Sequence, residues 1–138
     1  MNRFATPMFK KLLQSILYRL AKWVLHRQHP QVIAVTGSMG KTSTKDAIYT
    51  VLRHKYTVRR TLENYNNEIG LPLTIIGSHS GGRNPFAWLI IVTKALLYSI
   101  FPLTYPKILV LEMGADKPGD IKYLTGLAPA HIAMVTMI

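Results

Sequence analysis

The chain has 138 residues, 49% of them hydrophobic, and no cysteine; that is enough for one domain with a filled core, and it excludes disulfides and cysteine-ligated zinc. Seventeen Lys and Arg against six Asp and Glu give a net charge of +11, which directs the chain toward anionic surfaces: phospholipid, nucleic acid or a phosphorylated substrate. The five histidines lack the spacing of a metal site.

No Asp or Glu precedes Asp46, whereas Arg3, Lys10, Lys11, Arg19, Lys22 and Arg27 all fall in that first third. From Pro7 to His26 the residues Leu13, Ile16, Leu17, Leu20, Trp23 and Val24 recur at helical spacing, with Lys11, Ser15, Tyr18 and Lys22 on another face. This predicts a basic amphipathic helix. Gln14, Arg19 and Lys22 interrupt the apolar core a secretory signal needs, and no small-residue cleavage site follows. Two roles fit the helix: an interfacial membrane anchor, or a stripe packed on its own domain or a partner, the second slightly favoured. We take residues 1–30 as this helical extension and 31–138 as the main domain.

Val32-Ile33-Ala34-Val35 reads as a buried strand. Thr36-Gly37-Ser38-Met39-Gly40-Lys41-Thr42-Ser43 follows it, and a helix from Lys41 to about Arg53 comes next, with Ala47, Ile48, Val51 and Leu52 toward the sheet. Strand, glycine-bounded turn, Lys-Thr and helix, in that order, form a phosphate-binding loop. Gly37 and Gly40 let the backbone curl so that its N–H groups point at an anion. Lys41 supplies an ammonium for the β/γ-phosphates, Thr42 a hydroxyl for Mg²⁺, and the helix its positive end. The longer pattern G-x-x-x-x-G-K-[ST] would need glycine where Val35 stands, so the match is to the shorter G-x-x-G-K-[ST]. A plain turn followed by a solvated Lys41 is the alternative, and the order of the parts disfavours it.

Tyr56 to Thr61 reads as a short second strand, and Leu62 to Thr74, with three asparagines and two glutamates, as a polar loop. Ser78 to Pro85 is a flexible connection. Phe86 to Phe101 is the most apolar stretch; as a helix it rises about 24 Å, short of the roughly 30 Å hydrocarbon core, and Lys94 sits near its middle, so a buried or interfacial helix is expected. Lys107 to Glu112 is an apolar run ending in an acid, the layout of a central parallel strand delivering a carboxylate to its carboxyl edge. Pro118 to Leu127 predicts a helix begun by proline, and Ile132 to Thr136 a further buried strand. Strands alternating with helices predict an α/β fold: a parallel sheet with flanking helices and nucleotide at its carboxyl edge.

Four blocks together resemble the central ATP-binding domain of the Mur ligases: Ala34 to Lys45, Asn64 to Thr74, Leu111 to Asp116, and Ile132 to Thr136. The Asn66-Asn67-Glu68-Ile69-Gly70 run is similar to the branch that adds D-alanyl-D-alanine to UDP-N-acetylmuramoyl-tripeptide. The resemblance covers about Val32 to Thr136. It implies a P-loop-type fold and an ATP- and Mg²⁺-dependent amide ligase of cytoplasmic peptidoglycan precursor synthesis. In that chemistry a substrate carboxylate attacks the γ-phosphate, and an amine then displaces phosphate from the acyl phosphate. By resemblance, Lys41 and Glu112 are catalytic, Gly37, Ser38, Met39, Gly40, Lys41, Thr42 and Ser43 bind phosphate, Thr42 and Glu112 hold Mg²⁺, and Asn66, Asn67 and Glu68 lie near the substrate. The implied partners are a UDP-N-acetylmuramoyl-peptide and a D-amino-acid dipeptide or similar amine.

The sequence departs from the family in several places. Only about thirty residues precede the loop, where the family carries a UDP-sugar domain, and Met137 stands where the family commonly has Asn. The family's later histidine, modified lysine, adenine contacts and carboxy-terminal domain have no counterpart before Ile138, so ligation is not expected from these residues alone. A second reading is a non-catalytic ATP-binding module at the inner, anionic membrane face. Specific nucleic-acid binding ranks last, because no recognition helix or aromatic stacking motif accompanies the charge.

Overall fold

The computed structural model describes residues 7–62 and 65–138. Arg3, and Glu63 and Asn64 of the expected polar loop, lie outside the described residues. In chain order the elements are α1 (Pro7–Gln28), β1 (Gln31–Thr36), α2 (Lys41–Leu52), β2 (Val58–Arg60), α3 (Gly70–Ile76), α4 (Pro85–Ile100), β3 (Ile108–Glu112), α5 (Asp120–Leu127) and β4 (Ile132–Val135). The four strands form one parallel sheet in the order β2-β3-β1-β4.

Successive strand residues point to opposite faces, and the two inner strands are apolar on both. Val32, Ala34, Leu109 and Leu111 face a core shared with α1, α3, α4 and α5. Val35, Ile108 and Val110 face the other way, onto Ile48 and Leu52 of α2. A strand covered on both faces needs a continuous apolar run, as the sequence of β1 and β3 shows. The register sets Val35 opposite Glu112, so the acid at the end of β3 emerges beside the loop that follows β1.

The helix α1 buries Leu17, Leu20, Ala21 and Val24 in the same core as the sheet. Ile16 and Trp23, expected on its inward face, are 42% and 56% exposed. Its inward stripe is centred on Leu17 and Ala21, and those two positions fall to one side of it. Along α2 the inward line is Lys41, Lys45, Ile48 and Leu52, positions spaced as i, i+4, i+7 and i+11. Ala47 and Val51, expected to face the sheet, are exposed.

The expected loop from Leu62 to Thr74 does not run to its end. From Gly70 the chain forms α3, in which every residue is buried. The Asn67 side-chain oxygen accepts from the Ile69 and Gly70 amides at 3.1 and 2.8 Å, supplying the cap that starts the helix. A fully buried helix has no polar face and therefore no period to detect. The strand β2 is shorter than expected. The helix α5 starts at Asp120 rather than at Pro118, because the Asp120 carboxylate accepts from the Asp116 and Lys117 amides and fixes the turn ahead of it. The strand β4, expected to be buried, is exposed along its whole length because it lies at the sheet's edge. Among the described residues no helix is long and apolar enough to cross a membrane.

Candidate functional site

The parallel sheet brings the carboxyl ends of β1 and β3 together, and the polar groups converge there. Thr36 ends β1 with its hydroxyl donating to the Met113 carbonyl at 2.9 Å, which ties the start of the loop to the turn after β3. Gly37 has φ +137°, and a Cβ there would stand 2.0 Å from Thr136 Oγ1. Gly40, at φ +81°, is the left-handed residue that turns the chain into α2.

Below the loop lies the segment after β4. The Ser38 and Met39 amides donate to the Met137 carbonyl at 2.8 and 3.3 Å. Thr136 Oγ1 sits 2.6 Å from the Met39 carbonyl. Two amides expected to face phosphate thus brace the loop from behind. The amides of Lys41, Thr42 and Ser43, the first turn of α2, donate to no group among the described residues; the first satisfied amide is that of Thr44, bonded to the Gly40 carbonyl at 3.0 Å. These three unsatisfied amides and the positive end of a twelve-residue helix are groups suited to an anion. The Lys41 ammonium donates to the Gly37 carbonyl at 2.7 Å and so is held against the same turn.

Glu112 is the hub of the second half of the site. It is only 6% exposed, and each of its oxygens has a partner. Thr42 donates to Oε2 at 3.1 Å, and the Lys45 ammonium lies 3.4 Å from that oxygen. Asn66 donates to Oε1 at 3.2 Å. The Glu112 amide donates to the buried Thr61 hydroxyl at 2.9 Å, which fixes the backbone as well as the carboxylate. The Asn66 carbonyl in turn accepts from the Gly114 amide. Lys45 is 2% exposed, so the carboxylate and the ammonium neutralise each other in a dry pocket. Asp46, the one acid of α2, is bound by Arg60 at 2.8 Å and lies 3.7 Å from the Lys45 ammonium.

The Asn66-Asn67-Glu68 group splits three ways. Asn66 reaches Glu112, Asn67 caps α3, and Glu68 accepts from Gln14 of α1 at 3.1 Å. All three line a cavity of about 310 Å³ with Gly114, Asp116, Lys117 and Tyr123, next to Glu112. Burial, Tyr18 and Glu68 all raise the Tyr123 phenol above its ordinary range. A separate cavity of about 610 Å³, between α1 and the Pro129 to His131 segment, is lined by none of the loop residues.

No cluster of three or more metal-ligating His, Cys, Asp or Glu side chains occurs among the described residues. A magnesium–nucleotide site does not need one. Mg²⁺ takes one or two protein oxygens and completes its shell with phosphate and water. The Thr42 hydroxyl and Glu112 Oε2, 3.1 Å apart beside the unsatisfied helix amides, fit that donor set.

Sequence reasoning placed Lys41, Thr42, Glu112 and Asn66, and the fold brings all four together. It missed Lys45, Thr61 and the bracing role of Thr136 and Met137. The signal for Lys45 was its position four residues after Lys41, on the line that runs through Ile48 and Leu52.

Residues 35–81, which hold the loop, α2, the asparagine group and α3, match the Mur ligase middle domain. Over that stretch the chain is similar to the Mur ligase family. It is 38% identical over 124 residues to the UDP-N-acetylmuramoyl-tripeptide--D-alanyl-D-alanine ligase of Bacillus subtilis, covering 90% of this chain and 22% of that protein. The ligase of the same description from Borreliella burgdorferi is 44% identical over 128 residues, 93% of this chain and 22% of the relative. The crystal structure of the MurF ligase from Thermotoga maritima in complex with ADP superposes with a TM-score of 0.67 at 34% identity, over 91% of this chain and 24% of that one. The chain thus spans about a fifth of the length of the Mur ligases it matches.

Proposed function

We propose that this chain grips the phosphates of Mg-ATP and supplies the nucleotide half of an ATP-dependent amide ligase that joins D-alanyl-D-alanine, or a similar amine, to a UDP-N-acetylmuramoyl-peptide in the cytoplasm. The observation that carries this reading is the convergence of three unsatisfied helix amides, the Lys41 ammonium and the Thr42–Glu112 pair at one sheet edge. A relative described as a MurF ligase binds ADP, which agrees with it.

In this reading the amides of Lys41, Thr42 and Ser43 hold the phosphate oxygens, and Lys41 leaves the Gly37 carbonyl to neutralise charge on the β/γ-phosphates. Thr42 and Glu112 are the residues for Mg²⁺, which supplies further charge neutralisation when bound. Phosphoryl transfer needs little beyond in-line positioning and charge stabilisation, and these groups provide both for the attack of a substrate carboxylate on the γ-phosphate. Asn66 fixes the Glu112 carboxylate and also lines the adjoining cavity, which suits it to set the distance between phosphate and acceptor.

Two measurements test the proposal. Titration with Mg-ATP should show binding that Lys41→Ala weakens at least about tenfold, since a charge-assisted contact to phosphate is lost; unchanged affinity would remove the phosphate-loop assignment. For ligation, residues 31–138 replace the matching segment of the Bacillus subtilis relative. The chimera should release phosphate from ATP in a reaction that requires D-alanyl-D-alanine. A folded chimera that binds ATP and releases none would contradict the ligase reading while leaving nucleotide binding intact.

A further inference from the structure

Helix α4 inverts the usual arrangement of a surface helix. It buries Ile91 and Ala95 and turns Phe86, Leu89, Ile90, Leu96, Leu97 and Ile100 outward; Ile90 is 68% and Ile100 60% exposed. With the exposed Thr93 between Ile90 and Leu96, these positions follow the helical repeat and form one stripe along the helix. Its polar side chains do not interrupt the stripe. The Lys94 ammonium turns inward to donate to the Gly77 carbonyl, the Thr93 hydroxyl folds back on the Leu89 carbonyl, and the Ser99 hydroxyl on that of Ala95.

Helix α1 packs beside it. Gln28 at its carboxyl end donates to the Tyr98 and Phe101 carbonyls at the carboxyl end of α4, and both helices bury their inner stripes in one core. Their outer stripes therefore look away from the sheet side by side. On α1 that outer stripe carries Leu12, Ile16 and Trp23, 57%, 42% and 56% exposed. Arg19 adjoins it, and Lys11 and Lys22 lie further round the helix, Lys22 over the Tyr18 ring at 5.4 Å; all three are exposed. No acid occurs before Asp46 or between Glu68 and Glu112, so neither helix carries a negative charge. The described acids lie on α2 and around the nucleotide edge.

We propose that the joint outer face of α1 and α4 is a docking surface for an anionic lipid bilayer, with both helices lying in the plane of the interface. Two features favour lipid over a protein partner. Protein interfaces carry about one hydrogen bond per 100–200 Å², and the outer stripe of α4 offers no free polar group. The solvent side of α1 carries only cationic charges, among them Lys11, Arg19 and Lys22, which suit acidic headgroups, and an exposed Trp23 that also lines the cavity toward residues 129–131. The face belongs to the helix layer, away from the phosphate loop at the sheet edge, so nucleotide stays accessible while the chain is docked. This inference is independent of the ligase reading.

Flotation of the chain with phosphatidylcholine vesicles, with and without phosphatidylglycerol, tests it. Vesicles with phosphatidylglycerol should carry the chain, and those without should carry little of it. Salt should weaken binding without abolishing it, because the apolar stripe is insensitive to screening. The double change Leu89→Glu and Ile90→Glu should lower the partition at least about tenfold, since each side chain loses its burial in lipid, while circular dichroism and Mg-ATP affinity stay as in the parent. Flotation that ignores this double change would overturn the proposed face. So would absence from all vesicles, whether the chain is then a monomer or a dimer that the double change dissociates.

Discussion

A carboxylate as buried as Glu112 is tolerable only because every part of it is matched. Lys45 supplies the opposite charge, Thr42 and Asn66 supply hydrogen bonds, and Thr61 holds the backbone. Removing one partner of such a pair strands the other. Lys45→Met should therefore cost about 3 kcal/mol in urea denaturation, and adding Glu112→Gln to it should recover part of the loss. Gly37→Ala faces both a positive φ and the Thr136 hydroxyl, so it should destabilise the fold and lower Mg-ATP affinity together. At this scale the sequence revealed residues whose chemistry is tied to local order: a lysine and threonine after a glycine turn, an acid at a strand's end. Lys45 stayed hidden because a lysine on a helix is ordinarily solvated. Only the tertiary position of Glu112 turns it inward.

Among the elements, α3 shows how a buried helix is made from a segment that looks like a loop. Asn67 satisfies its first amides. Its last carbonyls receive Arg59 at Thr74 and Ile75, Lys94 at Gly77, and the Tyr105 hydroxyl at Ile75. Two cations at a helix's carboxyl end also complement its dipole. Asn67→Ala should cost about 1 kcal/mol in thermal or urea denaturation, and Asn67→Asp much less, because aspartate can accept the same bonds. Burial holds the Tyr105 phenol above its ordinary value, against the opposing effect of Arg59. The folded chain thus keeps a proton that the unfolded chain releases near pH 10. This contribution to stability is complete below about pH 10 and is lost as pH rises beyond it. Burial and Arg59 lower Lys94, which acts in the opposite direction as pH approaches 10.5. Comparing the parent with Tyr105→Phe isolates the phenol: the alkaline loss of stability should be smaller in the variant. Nothing in the residue pattern signalled α3, whose uniform burial leaves no period. The composition showed α4 clearly, because a sixteen-residue run between prolines that is apolar but for Thr93, Lys94 and Ser99 has few other conformations open to it.

Over the whole molecule, strand order converts distant motifs into one site. With β3 beside β1, Glu112 arrives 70 residues after Thr42 at a separation of 3.1 Å. The alternation of strands and helices made the parallel sheet legible, but the edge position of β4 was not, since an edge strand and an inner one can share the same apolar composition. If the loop grips ATP as proposed, it binds the polyphosphate and not the nucleoside. Competition against a fluorescent ATP analogue in the presence of Mg²⁺ tests it most directly. Inorganic tripolyphosphate should displace the analogue and AMP should not. Displacement by AMP with no effect of tripolyphosphate would contradict the claim.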